Sequence, residues 1–379
     1  MASPPIRLMR SPREIDIDIT TRCNLRCSYC YHFGSPGDVD EDLPAPAWLS
    51  FFEELGSIAV MDVSLAGGEP FLREDIMDLV HGIADNRMRF SILSNGTLIT
   101  GALAEELGAT RRCNTVQVSI DGSGPVTHDS CRGAGSFAGA VAGIRCLQDH
   151  QVPVSVRVTV HHQNVHDLEN IATLLLDDLN LPSFSTNAAG CFGLSRHHAA
   201  DVNLTIKDRM LAMETLLDLA QRYPGRISAN AGPLAEAEMF REIEEALHQD
   251  KPGIEGRGFL TGCNCTWQKI AVRADGAIVP CTLLPHLGIG RINQDSLRDV
   301  WQNHPVLQEM RSRSSIPLSS FPYCSGCRYI PYCTGNCPAG AYAVFGEECH
   351  PSPEGCYRQF LADGGSIGPV KHTKGRNQQ

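Results

Sequence analysis

Three cysteines crowd the segment Cys23-Asn-Leu-Arg-Cys27-Ser-Tyr-Cys30, directly after the alternating stretch Ile15–Ile19 (IDIDI). Thiolates so spaced hold soft or borderline metals. A four-iron cubane takes one ligand per iron, so a loop that supplies three leaves one iron open to a group that is not protein. A structural zinc knuckle would need a fourth ligand, and His32 is near enough in sequence to serve. A second accumulation begins at Cys263, where nine of the sixteen cysteines follow. They run Cys263-x-Cys265, Gly276-x4-Cys281, Cys324-x2-Cys327-x5-Cys333-x3-Cys337, Cys349 and Cys356. A zinc ribbon would use four of these and leave five without a partner. Cys113, Cys131, Cys146 and Cys191 are scattered and read as small core residues.

The rest of the chain says why these thiols point to metal. No apolar run approaches the roughly 20 residues that span a bilayer, and the start MASPPIRLMRSPR lacks the apolar segment of a signal peptide. The expected location is the cytoplasm, where thiols stay reduced and disulfide frameworks are rare, and no membrane partner is expected. A net charge of -11 argues against nucleic acid as a partner, because such binders carry a basic footprint. With 42% hydrophobic and 20% charged residues the chain is of ordinary globular composition, and 379 residues exceed one typical domain.

The thiols must be positioned by the elements between them. Ile15–Ile19, Met61–Ala66, Arg89–Leu93, Thr115–Ile120, Pro153–Val160 and Ser183–Asn187 read as strands. Helical patterns cover Ala47–Gly56, Glu74–Asn86, Thr100–Leu107, Phe137–Asp149, Asp167–Leu179 and Thr205–Arg222. Six strand–helix repeats predict an α/β fold with a parallel sheet, a partial (β/α)6 TIM-like barrel whose functional residues sit at the strands' C-terminal ends. Residues 1–204 form the expected barrel core, and residues 205–260 the last barrel helix and a helical connector containing Pro233–His248. A small cluster-binding domain at 261–360 follows the Gly- and charge-rich Asp250–Gly258, and 361–379 reads as a disordered tail.

Cys-x3-Cys-x2-Cys after a first strand, with Tyr29 before the last cysteine, resembles the radical S-adenosylmethionine (SAM) superfamily. Gly67-Gly68-Glu69-Pro70 after the second strand is similar to that family's motif for the methionyl amine of SAM. Ser94-Asn95-Gly96-Thr97 and Ser119-Ile120-Asp121-Gly122 resemble its SAM-contacting turns, and Arg157 stands where relatives hold the SAM carboxylate. A glycine pair lets backbone approach a ligand, Glu69 offers an acceptor for an ammonium, and a forked guanidinium suits a carboxylate. The resemblance implies that SAM chelates the open iron, that reductive cleavage gives a 5′-deoxyadenosyl radical, and that the radical takes a hydrogen from substrate. The protein then positions substrate and excludes solvent.

The C-terminal cysteines resemble the SPASM domain, which carries two auxiliary [4Fe–4S] clusters in peptide-modifying members of the superfamily. Three [4Fe–4S] clusters are implied in all. Carried over, the inner auxiliary cluster takes Cys263, Cys281 and Cys337, with Cys265 as a possible fourth ligand, and the outer one takes Cys324, Cys327, Cys333 and Cys356. Cys349 has no assigned role and reads as a free surface thiol. Thr282 stands where sulfatase-maturing relatives carry a proton-accepting Asp, which disfavours formylglycine formation. Only some fourteen residues precede the first strand, so capture of a peptide leader is expected to need a separate protein. The implied function is oxidative crosslinking of a ribosomally made precursor peptide, with a thioether or C–C bond formed and a flavodoxin or ferredoxin as electron donor. Tetrapyrrole or haem modification is the alternative enzyme reading, and an iron–sulfur electron carrier or scaffold the non-enzyme one. His197 and His198, in Ser195-Arg196-His197-His198, and Cys191 are weak catalytic candidates, as is the pair His161-His162.

Overall fold

The computed structural model describes residues 8–34, 41–263 and 265–367. Seven strands alternate with helices: β1 (Glu14–Thr20), β2 (Asp62–Gly67), β3 (Arg89–Ser94), β4 (Cys113–Ser119), β5 (Val154–Val160), β6 (Phe184–Ala188) and β7 (Ile227–Ala229). They pair in parallel in that order, so the sheet has the progression expected of a partial barrel. The three-residue β7 extends the six strands read from sequence, too short for a periodic signal.

Alternation within each strand divides the sheet's two faces. Ile15, Ile17, Ile19, Val63, Leu65, Phe90, Ile92, Val116, Val118, Val156, Val158 and Val160 are buried and belong to one core with the helices. Helix Ala45–Ser57 contributes Trp48, Phe51, Phe52 and Leu55, all fully buried, each worth roughly 2–3 kcal/mol relative to exposure. The other face carries Asp16, Asp18, Ser64, Gln117, Ser119, Ser155, Arg157, Ser185 and Asn187. It is polar from strand to strand, as a face lining a ligand chamber would be.

Helix Ile206–Arg222 is started by a capping box, in which the Thr205 hydroxyl accepts from Asp208 N (3.2 Å) and Asp208 accepts from Thr205 N (2.9 Å). Helix Pro233–His248 packs on it through an Arg209–Glu236 ion pair at 2.6 Å. Helix Pro125–Arg132, like the short helices from Ala199 and from Cys265 onward, has no counterpart in the sequence reading. The residues it buries are His128, Cys131 and Arg132, so it carries no apolar stripe to betray it.

The C-terminal region joins the barrel more closely than a separate cluster domain would. Strand β8 (Lys269–Val272) pairs in parallel with β1, and β9 (Ala277–Val279) and β10 (Gly290–Arg291) continue the sheet antiparallel. Side-chain hydrogen bonds reinforce the union, with Trp301 Nε1 donating to Met9 O (3.0 Å) and Leu297 N to Glu54 Oε1 (2.8 Å). Helix Tyr357–Ala362 stacks Tyr357 and Phe360 on Phe240, with ring centroids 4.7 and 5.1 Å away. Residues 361 and 362 of the expected tail are therefore helical, and 368–379 lie outside the described residues.

Candidate active site

The Cys23–Cys30 loop leaves the C-terminal end of β1 and is tied down by neighbours distant in sequence. Ser28 N donates to Cys131 O (2.9 Å), Leu194 N donates to Cys30 O (2.8 Å), and Asn24 bonds both Thr97 (2.9 Å) and Asn95 (2.8 Å). Beneath the loop lies an ion pair that is almost wholly buried. Asp121 Oδ2 accepts from Arg132 Nε and from the Tyr29 hydroxyl, while Oδ1 accepts from Thr159 N at 2.6 Å. Burial is the largest influence and would push the Asp121 carboxyl up; Arg132, His161, His128 and the Tyr29 hydroxyl together outweigh it and hold the group below the usual carboxylate range. Arg132 also reaches toward the loop, its Nη1 3.9 Å from Cys27 Sγ. Burial raises the Cys27 thiol to about 12 and Arg132 opposes this, so thiolate there depends on positive charge.

Asp121 is fully buried, and its carboxylate is taken up by Arg132, Tyr29 and Thr159. His128 Nδ1 accepts from Asp121 N (3.1 Å), and burial lowers this histidine to about 4, which keeps it neutral. His161 stacks on Tyr29 with centroids 5.4 Å apart. Sequence reasoning missed Arg132, His128 and Asn164, whose Nδ2 donates to Asp121 O (3.0 Å); no motif spacing marks them.

Glu69 is likewise held by protein. It is fully buried, and its carboxylate accepts from Ser94 Oγ (2.8 Å), Asn95 N (2.7 Å) and Phe71 N (3.2 Å). It joins the turn after β2 to the turn after β3. The glycine pair is explained by the cluster loop. A Cβ on Gly67 would lie 2.3 Å from Thr20 O, and one on Gly68 would lie 2.1 Å from Arg22 O. Pro70 opens the short helix that follows. Asn95 faces Asn24, with its Oδ1 accepting from Thr97 N (2.9 Å).

Ser119 and Arg157 are register partners on β4 and β5. Arg157 Nε is buried and has no hydrogen-bond partner among the described residues. A donor left so is costly, and an anionic ligand group would satisfy it. On the same face Asp16 pairs with Lys269 at 2.8 Å. Asp18 Oδ1 is buried without a hydrogen-bond partner among the described residues and His32 Nδ1 lies 3.8 Å from Oδ2; burial raises the carboxyl to about 7, with Asp16 adding to the rise and Arg273 opposing it. Cys191, His197 and His198 are exposed, and His197 Nε2 meets Gly34 O at 3.0 Å. His162 pairs with Asp208 at 2.8 Å.

Eight of the C-terminal thiols fall into two groups. Cys263, Cys265, Cys281 and Cys337 act electrostatically on one another, with Cys265, Cys281 and Cys337 packed around Leu284, Met310 and Ala339. Cys281 also feels Asp16, and Lys269 feels Cys281, so this set stands beside the polar face of the barrel. Cys324, Cys327, Cys333 and Cys356 line one apolar cavity. Among the described residues no three metal-binding side chains converge as on a single ion. A cluster with one thiolate per iron does not require that they do. Three thiols, an orphaned guanidinium and a four-thiol cradle fit the groups the motifs imply.

Residues 17–175 match the family model of the radical SAM superfamily, and residues 263–328 match that of SPASM, an iron–sulfur cluster-binding domain. An AdoMet-dependent heme synthase of Methanosarcina barkeri is 27% identical over 93% of this chain and 99% of its own length. A PqqA peptide cyclase of Ruegeria pomeroyi is 23% identical over 92% of this chain and 88% of its own. Among solved structures, Streptococcus suis SuiB bound to the precursor peptide SuiA superposes with a TM-score of 0.70 at 16% identity, over 92% of this chain and 77% of that one.

Proposed function

The chain belongs to the radical SAM superfamily and is an enzyme with a SPASM domain, and from that premise we propose that it oxidatively crosslinks a ribosomally made precursor peptide, through a thioether or C–C bond. SAM, when bound, supplies the radical that removes a substrate hydrogen. Cys23, Cys27 and Cys30 hold the cluster it binds, and Arg157 with Ser119 takes its carboxylate. The backbone of Gly67 and Gly68 and the turns at Asn95 and Asp121 shape the surrounding pocket, with Glu69 and Pro70 fixing the first turn. Cys263, Cys281 and Cys337, with Cys265, hold the inner auxiliary cluster, and Cys324, Cys327, Cys333 and Cys356 the outer, giving three in all. Asp18 is the carboxyl placed on the polar face to exchange a proton with substrate, ahead of the exposed His197, His198 and Cys191.

The observation that carries the peptide reading is the polar face from Asp16 to Asn187, with the inner thiol set beside it. A peptide's alternating donors and acceptors match such a lining, and an adjacent cluster can accept the electron that oxidation releases. The relatives printed as a peptide cyclase and as a protein bound to a precursor peptide support it. A flavodoxin or ferredoxin donor and a separate leader-binding protein complete the system. Tetrapyrrole modification is the second reading, favoured by the heme synthase matched over 99% of its length. Reduced, anaerobically reconstituted protein should be given SAM with a candidate peptide from a neighbouring reading frame, and separately with an iron porphyrin. Loss of paired hydrogens from the peptide supports the first reading; a mass change on the porphyrin alone replaces it with the second.

A further inference from the structure

Two arginines end the helix Pro305–Ser312 and the turn after it, and both are buried: Arg311 is 7% and Arg313 3% exposed. Arg311 is partly bonded: its Nε donates to Thr266 O (2.9 Å), and its guanidinium lies 4.6 Å from the centre of the Trp301 ring. Nη1 and Nη2 of Arg311, and Nε and Nη2 of Arg313, are buried without a hydrogen-bond partner among the described residues. Met310, three residues earlier, packs with Cys265, Cys281 and Cys337, and the charges that act on the buried Arg313 are the thiols of Cys349, Cys263, Cys265 and Cys337. Three of these four belong to the inner auxiliary set. A buried guanidinium with unmet donors and no counter-ion costs several kcal/mol, and such groups persist where an anion completes them. Four thiolates on a [4Fe–4S] core make such an anion, with sulfurs that accept N–H bonds.

We propose that Arg313 is the counter-cation of the inner auxiliary cluster, its free N–H groups directed to that cluster's sulfurs, and that it raises the cluster's reduction potential so that the cluster retains an electron released by substrate. The inference rests on the three-cluster reading above. Its physical basis is that charge and hydrogen bonds at cluster sulfurs set potential, and a nearby cation favours the more negative, reduced state. Arg313 is thus a positioning residue that acts through the cluster.

The test is an anaerobic redox titration of the reconstituted holoprotein followed by electron paramagnetic resonance, for wild type, Arg313→Gln and Arg313→Lys. The inner signal is identified as the one lost in Cys281→Ala. Arg313→Gln should lower the reduced-to-oxidised ratio of that signal at least tenfold at fixed poise, which is about 59 mV for one electron, with the other two clusters unmoved. Arg313→Lys keeps the charge and should recover most of the ratio. Selective loss of the inner cluster in Arg313→Gln, with retention in Arg313→Lys, would equally support the proposal. Unchanged iron and midpoint in Arg313→Gln, or the same defect in both variants, would overturn it. Failure of the underlying reading shows separately, as wild-type protein that binds only one cluster.

Discussion

Replacing Arg132 by Met should destabilise the protein by about 3–5 kcal/mol near pH 7.5, the usual cost of removing one partner from a buried pair. Asp121 is fully buried and would keep only the Thr159 amide at 2.6 Å and the Tyr29 hydroxyl. The cost has a ceiling. A stranded carboxyl can take a proton, which for an ordinary value near 3.9 costs about 5 kcal/mol at pH 7.5. Where protonation is the route taken, the penalty should shrink by about 1.4 kcal/mol for each unit the pH falls. The double variant Asp121→Asn with Arg132→Met removes both charges and should be more stable than Arg132→Met alone. Anaerobic urea unfolding of the three proteins at pH 7.5 and 5.5 measures this, with iron content reporting on the Cys23–Cys30 loop that the pair supports. A penalty under about 1 kcal/mol, or a double variant less stable than the single, would refute the claim that this pair anchors the loop.

Further substitutions examine other joints of the site. Gly68→Ala places a methyl 2.1 Å from Arg22 O, so the loop must move; the expected result is loss of the N-terminal cluster's iron with auxiliary iron kept, and full iron content would contradict it. Asp18 has a folded value raised from 3.8 to about 7, so stability is lost as pH rises from about 4 to 7, where the unfolded chain ionises and the folded one does not. Asp18→Asn should therefore be more stable than wild type at pH 8, by up to about 4 kcal/mol, with the difference gone near pH 4; a difference independent of pH would refute the burial argument. Cys27→Ala should abolish 5′-deoxyadenosine formation while auxiliary iron stays bound, and persistent SAM cleavage would show that the ligand assignment is wrong.

Much of this architecture is legible in the chain because period and spacing are local. IDIDI writes a strand with one apolar and one polar face, and β1 folds as that pattern requires. Short intervals such as Cys324-x2-Cys327 keep neighbouring thiols together, since a turn of a few residues confines its ends, whereas the grouping of Cys263, Cys281 and Cys337 came only from the family resemblance. What is not legible depends on contacts between distant residues. Nothing near Asp121 in sequence shows that Arg132 will neutralise it, because the helix between them buries polar side chains. The glycines of Gly67-Gly68 suggest ligand approach, whereas the atoms that forbid a side chain there belong to Thr20 and Arg22. Glu69 reads as an acceptor for an ammonium, and nothing local shows that Ser94 and Asn95 bond to it. The pairing of β8 with β1, which brings Cys281 beside the barrel's polar face, joins segments some 250 residues apart, and no local signal encodes it.

The central claim is that one SAM-binding and two auxiliary clusters act together in this chain. Iron, sulfide and 5′-deoxyadenosine should be measured together in anaerobically reconstituted protein treated with dithionite and SAM. The account predicts about twelve irons and as many sulfides per chain, with 5′-deoxyadenosine formed. Zinc in place of iron, or about four irons only, would contradict it, and the role given to the C-terminal thiols would fall.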